Sequence, residues 1–367
     1  MNKAFYLLLA TLVIVIILLF DLVVGYFFLP ESFKQSAAIN TLHSYYNHGF
    51  LPHAAATKKY GAYSYKAYTN SLGMLDKTTR TVTNDGRKKI VFLGDSFLEG
   101  VGLPYTQTFP YFLGQKIDSN ATDILNAGVA SFSPKLYYLR LKYLIEHQNI
   151  MPHEVFCFID ISDYGDELVY EDFTPSTNNS LNKIKSFLRG NSVIYNLYHW
   201  GAQKIFYSKC ANYNEGVEAA LYWRSVSSNY LKKYPGFLDI RYRWLYMNQQ
   251  DKNLVHSKNL AESYMDLLYE LCLKNNIMLH IVVYPPSQLL NTNANVKFTA
   301  HKFFEEYCIN KNINYLNLFP LFVTKDSCQN KLNKEEYYIH NDSHWNENGH
   351  KLVAKKLLEY IKTIKKT

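Results

Sequence analysis

The chain has 367 residues, 48% of them hydrophobic and 19% charged, with 39 basic and 31 acidic side chains and a net charge of +8. This composition excludes a disordered chain, and the length suffices for one large or two ordinary domains with a self-sufficient core. The positive charge is spread rather than clustered, which argues against a nucleic-acid partner. Cys157, Cys210, Cys272, Cys308 and Cys328 are far apart and form no C-x-x-C, so neither a disulfide scaffold nor a zinc ribbon is expected.

From Ala4 to Leu29 the chain is apolar except for Asp21, and Pro30 closes the run. As a helix the run would extend about 39 Å, more than the roughly 20 residues that cross a hydrocarbon core. It is too long for the apolar region of a signal peptide, and only a weak Ser36-Ala37-Ala38 follows it. Residues 1–30 therefore read as an uncleaved membrane anchor. Asp21 is expected near the outer boundary of the bilayer, with Tyr26 and Phe27 beside it. Lys3 ahead of the helix favours a short cytoplasmic tail and a body outside the cytoplasm.

Residues 31–88 are polar and turn-rich, a connector with an edge element. A regular alternation begins at residue 89. Strand-like runs occupy Lys89–Leu93, Ile124–Ala127, Val155–Ile159, Ile277–Val283 and Ile313–Leu318. Helical stretches separate them, at Phe109–Ile117, Pro134–His147, Ala261–Lys274, Val296–Asn310 and Asn348–Ile364. Strands joined by helical crossovers imply a central, mostly parallel five-stranded sheet covered on both faces, a three-layer α/β/α sandwich of flavodoxin-like type over residues 89–367. The alternation lapses over about 165–260, a stretch rich in Tyr, Trp, Asn and Ser. It reads as a mostly helical insertion, either a substrate lid or a structural elaboration. Trp200, Trp223 and Trp244 there are candidates for an exposed stacking surface or for core positions.

Gly94-Asp95-Ser96-Phe97 follows the first of these strands. A Ser there lies at the edge where α/β sheets bind ligands. A hydroxyl needs a base to become a nucleophile, and the base needs an orienting group. Both appear far along the chain, in IHNDSHWNENGH, where Asp342 and His344 precede the last helix. Asp342 can hold the Nδ1–H of His344 and leave Nε2 facing Ser96. There is no G-x-S-x-G elbow and no glycine-rich phosphate loop. His340, His344 and His350 lack the H-E-x-x-H spacing, so no metal and no cofactor are expected.

IVFLGDSFLEGVG, ILNAGVASFSP and HNDSHWNENGHKLVA resemble three blocks of the SGNH/GDSL hydrolase superfamily, and TNSLGMLD resembles a lead-in seen in many bacterial members. The resemblance covers about residues 65–365, the insertion excepted. It implies a nucleophile at Ser96 with Asp342 and His344. It also implies an oxyanion hole from the N–H groups of Ser96 and Gly128, with a third donor from the next block. That block departs from the family's G-x-N-D: VFCFIDISD places Asp160 where Gly is usual and Ser162 where Asn is usual. Ser162 is thus the candidate third donor. The resemblance extends to membrane-anchored envelope members that hydrolyse or transfer O-acyl groups on polysaccharides. It implies an acylated carbohydrate as substrate, the membrane as a partner through the anchor, and other envelope-modification proteins as further partners. Three functions stand: an acyl ester hydrolase, an O-acyltransferase, and a non-catalytic glycan-binding or assembly protein with a decayed oxyanion hole.

Overall fold

The computed structural model describes residues 3–61, 63–199, 249–287, 300–322, 324–326, 329–331 and 334–364. The chain opens with helices α1 (Lys3–Phe28) and α2 (Glu31–Ile39) and a hairpin of β1 (Asn40–His43) and β2 (Asn47–Phe50). Next come β3 (Ala55–Tyr60), β4 (Tyr63–Thr69) and β5 (Leu75–Asp76). The apolar runs then form β6 (Lys88–Leu93), β7 (Thr122–Asn126), β8 (Glu154–Ile159), β9 (Met278–Val283) and β10 (Asn314–Asn317). All eight strands from β3 to β10 share one sheet in the order β10-β9-β8-β6-β7-β5-β4-β3. It is parallel from β10 to β7 and antiparallel from β7 to β3.

The five expected strands are the parallel part. The sheet nevertheless has eight strands, because residues 55–76 of the expected connector add three. Their signal is masked in the sequence: β4 places Tyr63 and Tyr68 toward solvent and small Ala67 and Thr69 inward, so apolarity does not follow burial.

Two cores lie on opposite faces of the sheet, as the two-residue period of a strand requires. Val91, Leu93, Val155, Cys157, Ile281 and Val283 face one core. It is completed by α5 (Pro134–Glu146), α6 (Ser162–Val169), α8 (Lys252–Lys274) and α9 (Ala300–Lys311) after α7 (Ser180–Asn191) has crossed the surface. Phe92, Phe156, Phe158 and Val282 face the other, with α3 (Ser96–Glu99), α4 (Phe109–Gly114) and α10 (Glu347–Ile364). This is the three-layer arrangement. Helix α8 begins at Lys252 rather than Ala261 because Asp251 caps it, accepting from Asn253 N and Leu254 N at 3.0 Å each. Trp200, Trp223 and Trp244, Cys210 and Cys328, and the start of the expected Val296–Asn310 helix lie outside the described residues. Of the expected insertion, α6, α7 and residues 193–199 are helical.

The order of the parallel strands positions the site. From β6 the chain moves to β7 on one side, then returns to β8 on the other. The sequence of strands therefore reverses around β6, which opens a crevice at its C-terminal end. Ser96 begins there.

Candidate active site

Asp95 caps α3, accepting from Phe97 N at 2.9 Å, and places Ser96 as the first helical residue. From the far end of the chain, the block at 339–346 folds against it. Trp345 is fully buried and stacks on Phe322, with Phe97 and Tyr284 edge-on or tilted beside it. Ser287 Oγ donates to the Asp342 carbonyl at 2.8 Å. Asn346 caps α10 through Asn348 N and Gly349 N. Held in this way, Ser96 Oγ donates to His344 Nε2 at 2.8 Å. With its proton on Nδ1, His344 donates to Asp342 Oδ1 at 2.5 Å. Burial would raise the Asp342 carboxyl, but the hydrogen bond and charge of His344 and the Tyr60 hydroxyl outweigh it and hold the group down at about 2. Asp342 is thus a permanent anion behind the imidazole.

Tyr60, the last residue of β3, escaped the sequence reading. Its hydroxyl donates to Asp342 Oδ2 at 2.7 Å and lies 3.2 Å from His344 Nδ1. Burial and the adjacent Asp342 push its phenol up, so it stays a donor. Nothing in the sequence marks it, because its partner is 282 positions away.

The expected oxyanion donors are placed differently from one another. The Ser96 N–H has no partner among the described residues. The Gly128 N–H already donates to Asn126 Oδ1 at 2.9 Å. Gly128 instead serves packing: a Cβ there would lie 2.5 Å from Leu98 Cγ and 2.6 Å from Glu99 N. The Ser162 N–H donates to Asp160 Oδ1 at 2.6 Å. The Gly128 N–H would have to leave its partner to reach a substrate oxygen. The 127–133 segment itself is held by Glu99, which accepts from Ala130 N at 2.7 Å and pairs with Lys58, and by Tyr170, which donates to the Ser131 carbonyl at 2.8 Å. Ser131 takes a left-handed φ of 71°, a strained choice for a side-chain-bearing residue.

Next to Ser96, Asp95, Asp160 and Asp163 each offer an oxygen within 4.8 Å of the others, all buried. Tyr284 donates to Asp95 at 2.8 Å and Tyr137 to Asp163 at 3.0 Å. Burial first, then the neighbouring carboxylates, push Asp160 up to about 7 and Asp163 well up, while Asp95 also rises. The cluster therefore retains protons near neutrality. His350, one of the histidines weighed as metal ligands, is buried, held down at about 3 by that burial, and accepts from Phe109 N at 3.2 Å.

No family model matches the chain, and no curated protein matches it. Among solved structures it is similar in fold to the psychrotrophic esterase EstA from Pseudoalteromonas sp., at 15% identity over 76% of this chain and 100% of that one, with a TM-score of 0.37. It is also similar to a catalytic mutant of Axe2, an acetylxylan esterase from Geobacillus stearothermophilus, at 11% identity over 76% and 95%, with a TM-score of 0.39. A GDSL-like lipase from Bacteroides thetaiotaomicron VPI-5482 matches at 13% identity over 75% and 89%, with a TM-score of 0.34.

Two outcomes are expected. Tyr60→Phe should slow phosphonylation of Ser96 by a fluorophosphonate roughly three- to tenfold, since a hydrogen bond to a charged group contributes about 1.5–3 kcal/mol and only part of it reaches the nucleophile. The rate of label incorporation measures this. For Asp160, the folded carboxyl near 7 keeps a proton that the unfolded chain releases in the usual carboxylate range. Stability therefore falls as pH rises between those values, and the penalty is complete above about 7. Asp160→Asn should raise Tm at pH 8 by at least about 2 °C and by less at pH 5, in thermal melts at both.

Proposed function

We propose that the chain is a membrane-anchored serine ester hydrolase of the SGNH/GDSL type, acting on an O-acylated glycan outside the cytoplasm. The observation that carries this reading is the unbroken hydrogen-bonded line from Ser96 through His344 to Asp342 at a topological switch point. In the first step Ser96 Oγ bonds to the acyl carbon and its proton passes to His344 Nε2. The carbonyl oxygen becomes an oxyanion facing the Ser96 N–H. Asp342 stabilises the imidazolium that forms. The tetrahedral species collapses, the acyl–oxygen bond to the sugar breaks, and His344 returns its proton to the departing sugar oxygen. Water activated by the same imidazole then releases the acyl group. Attack by a second sugar hydroxyl instead would make the same acyl-enzyme a transferase.

The anchor supports the choice of substrate. Lys3–Phe28 is one continuous helix, long and apolar enough to cross a membrane, and most of its side chains are exposed in the folded chain. A domain tethered there meets surface polymers more readily than soluble metabolites.

The full-length protein in detergent should be labelled by a fluorophosphonate, and the label should map to the peptide holding Ser96. Ser96→Ala should lose it entirely. Full labelling of that variant, or none of the wild type, would overturn the nucleophile and favour the glycan-binding reading. Acetate release from an acetylated polysaccharide in water, against acetate appearing on an added sugar acceptor, separates hydrolase from transferase. For topology, alkaline phosphatase fused to the C-terminus should be active, because that enzyme matures only outside the cytoplasm; an inactive fusion places the domain inside.

A further inference from the structure

Asp21 interrupts the apolar helix α1, yet it is only 5% exposed. Its Oδ1 accepts from the backbone N–H of Ile194 at 2.9 Å, at the start of the helical residues 193–199. One turn further on, Gly25 touches the end of α7 so closely that a Cβ would overlap the Asn191 carbonyl oxygen. The segment 180–199 is thus fastened to α1 at two successive turns. The depth of that junction follows from the helix rise. Residues 4–20 carry no charge and extend about 26 Å, close to the roughly 30 Å of a hydrocarbon core. Asp21 and Gly25 then fall at the edge of the hydrocarbon, and residues 180–199 leave α1 at that level.

The outward face of this segment is apolar. On α7, Leu181, Ile184 and Phe187 recur every three residues and are 72%, 55% and 54% exposed. The opposite face is used for packing: Gly190 meets Ala37, and Ser186 bonds Thr41. Exposed Lys183 and Lys185 flank the apolar stripe. Beyond the Asn191–Ser192 turn, Ile194, Leu197 and Tyr198 continue the exposed apolar surface. An apolar stripe with lysines at its margins, and an aromatic side chain at its end, is the pattern of a helix lying in the plane of a membrane interface. A soluble surface has no use for six large exposed side chains grouped in this way.

We propose that residues 180–199 lie in the headgroup layer of the bilayer that α1 crosses, with Leu181, Ile184, Phe187, Ile194, Leu197 and Tyr198 immersed and Lys183 and Lys185 at the lipid phosphates. Asp21 then caps the interfacial segment and joins it to the spanning helix. The domain is held to the membrane by a bracket of two elements, so it cannot swing freely on a single tether. This inference rests on the reading of α1 as a membrane span and is independent of the chemistry at Ser96.

The test uses the full chain with benzoylphenylalanine incorporated singly at Leu12, Ile184, Phe187, Leu197 or exposed Lys355, reconstituted in vesicles of phosphatidylcholine and phosphatidylglycerol. After irradiation, the peptides holding positions 12, 184, 187 and 197 should gain the mass of a phospholipid, and the peptide holding 355 should not. Lipid adducts at 12 without any at 184, 187 and 197 overturn the bracket and leave the span standing. Absence of adducts at 12 overturns the span, and the bracket with it. Crosslinks from 184 or 187 to another polypeptide, in place of lipid, mean that a protein covers this face and also overturn the proposal.

Discussion

Everything Ser96 can do chemically depends on one imidazole that arrives from 248 positions away. A short helix cap places the serine, but a serine hydroxyl alone is a poor nucleophile. The block bearing His344 is a tight turn, closed by the Tyr338–Trp345 bridge and by Ile339 N donating to the His344 carbonyl at 2.9 Å, and neighbours orient it as a unit. Trp345 is buried among Phe97, Tyr284 and Phe322, and the very next residue caps α10. The imidazole lies against the rings of Phe97 and Tyr60, at 5.0 and 5.7 Å between centroids, with the Asp342 carboxylate on its Nδ1. Asp342 is fixed in turn by its backbone, through Ser287, and by its second oxygen, through Tyr60. The aromatic core on that face of the sheet is therefore part of the site: it sets the angle at which the ring meets Ser96.

Much of this was legible in the sequence, for identifiable reasons. The parallel strands are buried on both faces, so they read as continuous apolar runs such as IVFL and VFCFI, which need no partner to be recognised. Ser96 and His344 lie in compact blocks of residues whose order survives in one dimension. Tyr60 was invisible because it contributes a single atom across the fold. Strands β3 and β4 were hidden because β4 turns Tyr63 and Tyr68 outward and small Ala67 and Thr69 inward, and β3 carries Lys58, whose charge is drawn in against Glu99. Gly128 carries a role that the resemblance did not suggest: its missing Cβ lets the 127–133 segment approach α3, while its N–H donates to Asn126 Oδ1.

The N-terminal apolar helix shows the same division. A charge within an apolar run can be read as a boundary marker from composition alone. The group that satisfies it cannot, because the Ile194 N–H is 173 positions away. That bond gives the Asp21 carboxyl a backbone donor that a helix start leaves unpaired. The connection also explains why α1 tolerates a glycine at 25, where a helix interior would otherwise favour a better helix former. The backbone of α7 occupies the space a side chain would take.

The two departures from the family pattern at 160 and 162 are best understood as one. A carboxyl at 160 is enclosed with Asp95 and Asp163 and must either keep a proton or find donors. Ser162 supplies one donor, its N–H reaching Asp160 Oδ1 at 2.6 Å. The acid at 160 and the residue at 162 are thus tied through the main chain, and a serine hydroxyl at 162 is shorter than the amide it replaces. The Ser96 N–H, by contrast, has no partner among the described residues.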